Sequence, residues 1–139
     1  MKRMIVLALT VGVFLSFSTE AHATLALCFN CGELHFGALV RCKQCFFQPD
    51  MANQDLWILF SDHFFSPDTL AKFGTNIKKI RIVCPDFDEG LWIFLQYIVD
   101  NYPEIIDRET FRLPPEYQER VPLILKKVNL TVFPLEGRQ

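Results

Sequence analysis

Apart from its first segment, the chain has no long apolar run, and it has no dominant charge of one sign, no internal repeat and no low-complexity tract. Each absence removes a class of protein. The longest apolar stretch, Met4 to Phe17, has 14 residues and is broken only by Thr10, Gly12 and Ser16, whereas a bilayer-spanning helix takes about 20. A later run, Leu91 to Val99, is shorter still. With 14 Lys and Arg against 16 Asp and Glu, the net charge is −2. That balance argues against nucleic acid as a partner, because phosphate recognition draws on clustered basic side chains. The small clusters Lys78-Lys79-Ile80-Arg81 and Lys126-Lys127 read as solvated faces. The lack of repeats and biased tracts leaves an ordinary globular chain with a core of its own.

What is present begins with an export address. Lys2 and Arg3 precede the apolar run, Ser18-Thr19-Glu20 follows it, and Ala21-His22-Ala23 fits the small-x-small cleavage pattern of a secretory leader. We expect residues 1–23 to be a signal peptide of bacterial type, with the mature chain starting at Thr24 in the periplasm or outside the cell. Cys28 lies beyond the cleavage site, so no cysteine sits at a lipoprotein position. Removing two bases and one acid takes the charge from −2 to about −3. Phe is abundant, at 14 in the full chain, and most of these rings are expected in the core.

The cysteines carry the most specific signal. Cys28-Phe29-Asn30-Cys31-Gly32 and Cys42-Lys43-Gln44-Cys45 are two Cys-x-x-Cys pairs separated by a segment with Leu34, Phe36, Leu39 and Val40 around Gly37, which reads as a small hairpin. Each pair suits one side of a tetrahedral ion, and Gly32 offers the unusual backbone angle that a knuckle turn wants. In this unit, residues 24–48, the stretch from about 26 to 47 resembles zinc-ribbon, rubredoxin-like modules, with Cys28, Cys31, Cys42 and Cys45 in the four ligand positions. It departs from their common pattern at Phe46, where the second knuckle often carries Gly. The resemblance implies a structural Zn2+, since four thiolates close the coordination shell. The stretch through Leu59-Phe60-Ser61-Asp62-His63-Phe64-Phe65 is also similar to small bacterial proteins with an N-terminal knuckle pair. An oxidising address favours a different use of the same residues: disulfides Cys28–Cys45 with Cys31–Cys42, or two local Cys-x-x-Cys bridges. Cys84, the fifth cysteine, reads as a buried thiol.

Residues 49–139 read as a mainly helical body packed with the cysteine unit as one domain. Leu56, Leu59, Phe60, His63 and Phe64 recur at helical spacing. Ser66-Pro67-Asp68 is a helix start, followed by Leu70, Phe73 and Ile77, with Gly74 weakening that helix by about 1 kcal/mol relative to Ala. Ile80 to Cys84 alternates like a short strand. Asp86 to Tyr102 reads as a helix that is apolar on every side, so Trp92 and Phe94 cannot both face water. Val128 to Phe133 reads as a final strand. The expected class is α+β: a Cys-clamped, zinc-ribbon-like β-hairpin, then a helical body and a short C-terminal strand.

Several constellations invite a chemical reading. Ser61, Asp62 and His63 are neighbours, but adjacent positions on a helix do not face one another, so no catalytic relay is expected. Glu33 and His35 read as a solvated hairpin face, and Asp86, Asp88 and Glu89 as a helix start. The expectation is therefore a non-enzymatic periplasmic interaction or structural protein with a protein partner, such as an accessory subunit of an envelope or secretion assembly. A periplasmic inhibitor or immunity-type protein is the second reading. A thiol oxidoreductase is the third, disfavoured because a redox Cys-x-x-Cys normally opens a helix.

Overall fold

Ser66 begins the longest helix in the way its chemistry requires. Its backbone is extended and its hydroxyl accepts the Thr69 N–H at 3.2 Å, Pro67 fills the first helical position, and Asp68 lies in the first turn. In the computed structural model, which describes residues 24–135, the order is β1 (Leu25–Leu27), β2 (Leu34–Phe36), α1 (Gln54–Leu59), α2 (Pro67–Val83), α3 (Phe87–Asn101) and α4 (Arg120–Lys127). Single 3-10 turns, Met51–Asn53 and Pro115–Tyr117, precede α1 and α4. The expected leader lies outside the described residues. Among those residues no helix is long and apolar enough to cross a membrane.

The expected α+β arrangement of a small hairpin and a helical body is present, with three local differences. β1 and β2 pair antiparallel with Leu25 opposite Phe36 and Leu27 opposite Leu34. The hairpin therefore wraps around the first cysteine pair, rather than lying wholly between the two pairs. The alternation over Ile80–Cys84 is not a strand but the last turn of α2 and its cap: Ile80 is buried and Ile82 is 83% exposed. Five alternating residues cannot override a helix already nucleated at Ser66.

The third difference is at the C-terminus, where residues 128–133 form no strand. Side chains meet the backbone there instead. Asn76 donates to the Thr131 carbonyl and accepts the Thr131 N–H, both at 2.9 Å. The Tyr102 hydroxyl does the same for Phe133, donating at 2.8 Å and accepting at 2.9 Å. Asn76 and Tyr102 thus supply the donors and acceptors that a neighbouring strand would have offered.

Asp86 starts α3 by accepting the Glu89 N–H at 2.8 Å. This helix is buried nearly all round, as its sequence demands: Trp92, Ile93, Phe94, Leu95, Tyr97, Ile98 and Val99 are all inside. Phe94 meets Phe29, Phe60 and Phe73 edge-on at centroid distances of 5.5, 5.6 and 5.9 Å. Such edge contacts set the quadrupoles of the rings favourably. Trp92 packs on the other side against Phe111 and Tyr117. A smaller cluster of Ala26, Ala38 and Ile58 joins the hairpin to α1.

Candidate metal centre

The two cysteine pairs fold into the same backbone device. In the first, the Gly32 N–H donates to the Cys28 carbonyl and the Cys28 N–H to the Glu33 carbonyl, both at 2.9 Å. In the second, the Phe46 N–H donates to the Cys42 carbonyl at 2.8 Å and the Cys42 N–H to the Phe47 carbonyl at 2.9 Å. Each turn needs one residue in the left-handed region, and these are Gly32 at φ 81° and Phe46 at φ 67°. Glycine adopts that conformation freely, whereas an L side chain gives up about 1–2 kcal/mol. The departure from the common pattern at Phe46 is thus a change of residue and not of geometry.

The knuckles bring all four sulfurs together: Cys28, Cys31, Cys42 and Cys45 lie within 4.8 Å of one another. Across the knuckles, Cys28 and Cys45 are 3.6 Å apart and Cys31 and Cys42 are 3.8 Å apart. A tetrahedral Zn2+ with sulfurs at about 2.3 Å places them about 3.8 Å from each other. No pair is at the roughly 2.05 Å of a disulfide, and all five cysteines, Cys84 included, are free thiols. The arrangement is that of a zinc-ribbon-like knuckle pair with a complete set of soft donors for one metal ion.

The Gln44 backbone N–H donates to the Cys42 sulfur at 3.4 Å, and the backbone groups of Glu33 at Cys31, Phe47 at Cys45, and Cys31 and Asn30 at Cys28 favour the other three thiolates. Such donors stabilise thiolates. Burial works against them: it pushes the free Cys28 thiol far up and Cys31 up to about 11. At Cys45 burial is outweighed by the Asn30 side chain and the Phe47 N–H, and that thiol lies below its usual value. Buried thiols packed this closely lose their protons readily only to a cation.

The centre is fixed to the helical body by contacts that sequence reasoning overlooked. Gly32 and Gly74 touch backbone to backbone: a Cβ on Gly74 would lie 2.1 Å from the Gly32 oxygen, and one on Gly32 would lie 2.4 Å from the Gly74 oxygen. Gly74 therefore weakens α2 locally because the knuckle must sit there. Glu33 pairs with Lys78 at 2.7 Å. Lys79 donates to the Asn129 carbonyl at 3.1 Å, and Arg81 to the Phe29 and Asn30 carbonyls. The basic cluster on α2 is thus not a plain solvated face: Lys78 and Arg81 hold the first knuckle, and Lys79 holds the C-terminal segment. Nothing in its spacing distinguishes the two cases; a charge run next to a glycine on one helix is the nearest signal.

The other candidate residues lie elsewhere. α1 ends at Leu59, because the chain turns out to pair with β1: the Leu27 N–H reaches the Phe60 carbonyl at 3.0 Å and the Asp62 N–H reaches Leu25 at 2.8 Å. Ser61, Asp62 and His63 are therefore in a turn, not on a helical face. The Ser61 hydroxyl donates back to Ile58 at 2.6 Å, while the His63 ring meets the Thr24 hydroxyl at 3.2 Å. The Ser61 hydroxyl also accepts the His63 backbone N–H at 3.4 Å. His35 is half-buried outside the sulfur cluster, with burial lowering its pKa. Glu89 is held by Arg120 of α4, and Cys84 is buried at the end of α2, which raises its thiol. No protein-family model, curated protein or solved structure matches the chain, so the reading of the centre rests on its own geometry.

Proposed function

We propose that the chain is a non-enzymatic interaction or structural module whose N-terminal unit is clamped by a structural Zn2+ on Cys28, Cys31, Cys42 and Cys45, and that it works in the periplasm or outside the cell after loss of residues 1–23. One observation carries the metal: four sulfurs within 4.8 Å on two matched knuckles. Soft thiolates select zinc, iron or copper over hard cations, and a closed tetrahedral sulfur set fits structural Zn2+. A site with no open position holds structure and does not turn over substrate. Elemental analysis of freshly isolated protein, combined with a free-thiol count, is the test. Near-stoichiometric zinc supports the clamp. No metal and a single reactive thiol, Cys84, would replace it with bridges Cys28–Cys45 and Cys31–Cys42, the two sulfur pairs at 3.6 and 3.8 Å.

Phe36, Phe46 and Ile82, each more than two-thirds exposed, are apolar contacts the surface offers to a partner. A periplasmic inhibitor or immunity-type protein would run as a stable one-to-one complex, whereas an accessory subunit would travel with a large membrane assembly. A thiol oxidoreductase is disfavoured because both Cys-x-x-Cys pairs lie in turns and neither opens a helix; a disulfide-reduction assay decides it. Intact mass of protein from its own host tests the address, and a species retaining Met1 to Ala23 would refute it.

A further inference from the structure

Arg81 stands in the last turn of α2 with an unusual set of partners. Its guanidinium donates to the carbonyls of Asn30 at 2.8 Å and Phe29 at 3.2 Å, within the first knuckle. It also donates to Asp86 at 2.8 Å, Cys84 at 3.3 Å and Phe87 at 3.4 Å, at the junction of α2 and α3. The Phe87 ring lies under it at 5.3 Å, and Gly90 leaves room for it, since a Cβ there would sit 2.2 Å from a guanidinium nitrogen. Among the described residues it forms no ion pair, although the two ion pairs found there do involve its neighbour Lys78 and Arg120. A half-buried guanidinium bonded only to carbonyls has no carboxylate in contact with it, although Asp86 acts on it from beyond ion-pair distance.

The two knuckle carbonyls belong to the peptide groups Phe29–Asn30 and Asn30–Cys31. The N–H ends of those same peptides, on Asn30 and Cys31, act on the Cys28 sulfur in favour of its thiolate. Each peptide therefore has a cation on its oxygen and an N–H end that favours the Cys28 thiolate. A cation at the carbonyl polarises the peptide and strengthens the hydrogen bond at the other end. Four thiolates around a divalent cation carry two net negative charges, which add to the pull of the Asp86 carboxylate on Arg81. Among the described residues, no Lys or Arg side chain donates to the matching carbonyls of Lys43 and Gln44 in the second knuckle.

We propose that Arg81 is a positioning residue of the metal centre, acting on Cys28 through the Phe29–Asn30 and Asn30–Cys31 peptide groups and balancing the charge of the thiolate-bound ion. This rests on the metal reading above. Lys keeps the charge but not the planar fork that spans both carbonyls, whereas Met keeps only the stem.

The test compares the full chain with Arg81→Lys and Arg81→Met. Zn2+ affinity is read by chelator competition, and the cobalt–thiolate charge-transfer spectrum of the Co2+-loaded protein is read beside it. We expect Arg81→Met to lose about 10–100-fold in Zn2+ affinity, the range for partners of metal ligands, with a shifted charge-transfer band, and Arg81→Lys to fall between it and the wild type. Lys78→Met, which removes the neighbouring tether from the same knuckle, should leave the band in place. Wild-type affinity and an unshifted band in Arg81→Met overturn the proposal even if the melting point drops, because Arg81 would then serve the fold alone. Should Arg81→Met fail to fold, Arg81→Lys decides by the same two readings. Wild-type protein that binds neither Zn2+ nor Co2+ overturns the metal reading itself.

Discussion

The two knuckles share one backbone geometry and almost nothing else. Their leading cysteines, Cys28 and Cys42, are both buried, but in the first knuckle Phe29 lies between Trp57, Phe60 and Phe94, Gly32 is pressed against Gly74 of α2, and Arg81 holds the two central carbonyls. In the second, the residue matching Phe29 is Lys43, which is exposed, and the residue matching Gly32 is Phe46, whose ring is 68% exposed. Phe47 ties this side to the body, packing on Trp57 and Phe87. Glycine is required in the first knuckle twice over, for its backbone angle and for lack of space. In the second only the angle asks for it, and a side chain that points outward is accommodated at a modest cost. The first knuckle belongs to the core, and the second depends on the shared centre for its place.

Withdrawal of the metal is the severest way to probe that difference. Binding energy at a structural site is largely folding energy, so chelation should lower the unfolding midpoint by an amount worth several kcal/mol. Hydrogen exchange locates the loss. The Phe46 N–H, bonded to the Cys42 carbonyl, should lose protection well before the Gly32 N–H, bonded to the Cys28 carbonyl. Equal loss at both would mean the core does not hold the first knuckle.

The matched positions Phe29 and Lys43 come next. Phe29→Ala should cost about 3–5 kcal/mol in denaturant unfolding, whereas Lys43→Ala should stay within about 0.5 kcal/mol of wild type. A Phe29 effect no larger than that of Lys43 would contradict the packing described for the aromatic core.

The left-handed pair gives the smallest and most informative contrast. Gly32→Ala meets both a positive φ and the Gly74 oxygen 2.4 Å away, and should lose about 3 kcal/mol. Phe46→Gly relieves backbone strain but frees the unfolded chain, so it should change stability by less than about 1 kcal/mol with metal stoichiometry intact. Gly74→Ala tests the same contact from the helix side. It would gain about 1 kcal/mol as a helix former, yet the Gly32 oxygen 2.1 Å from the new Cβ should make it a net loss. If it stabilises the protein, the knuckle does not rest on α2 as described.

Much of the site was legible before any coordinates. The Cys-x-x-Cys spacing names four residues whose sulfurs converge, and Gly32 marks one of the two positive-φ positions of the knuckles, because knuckle chemistry is local and tightly constrained. Phe46 hid the other, since a left-handed phenylalanine has no sequence signature. Arg81 and Gly74 were also hidden. Their roles depend on peptide groups more than 40 residues away in the chain (Arg81 to Asn30 is 51 positions), and no periodicity encodes such contacts.

Local rules determined the start of α2 at Ser66-Pro67-Asp68, the Asp86 cap of α3, the burial of α3 on every side and the convergence of the cysteines. Each follows from neighbours within a few positions or from one strong hydrophobic pattern. Tertiary structure decided where α1 stops, because Ser61 and its neighbours pair with β1. It turned the Ile80–Cys84 alternation into the last helical turn, and it left the 128–133 segment bonded to Asn76 and Tyr102 instead of to a strand. In those places two local conformations lie within a few kcal/mol of each other. The partner available in space, not the residue's own preference, chooses between them.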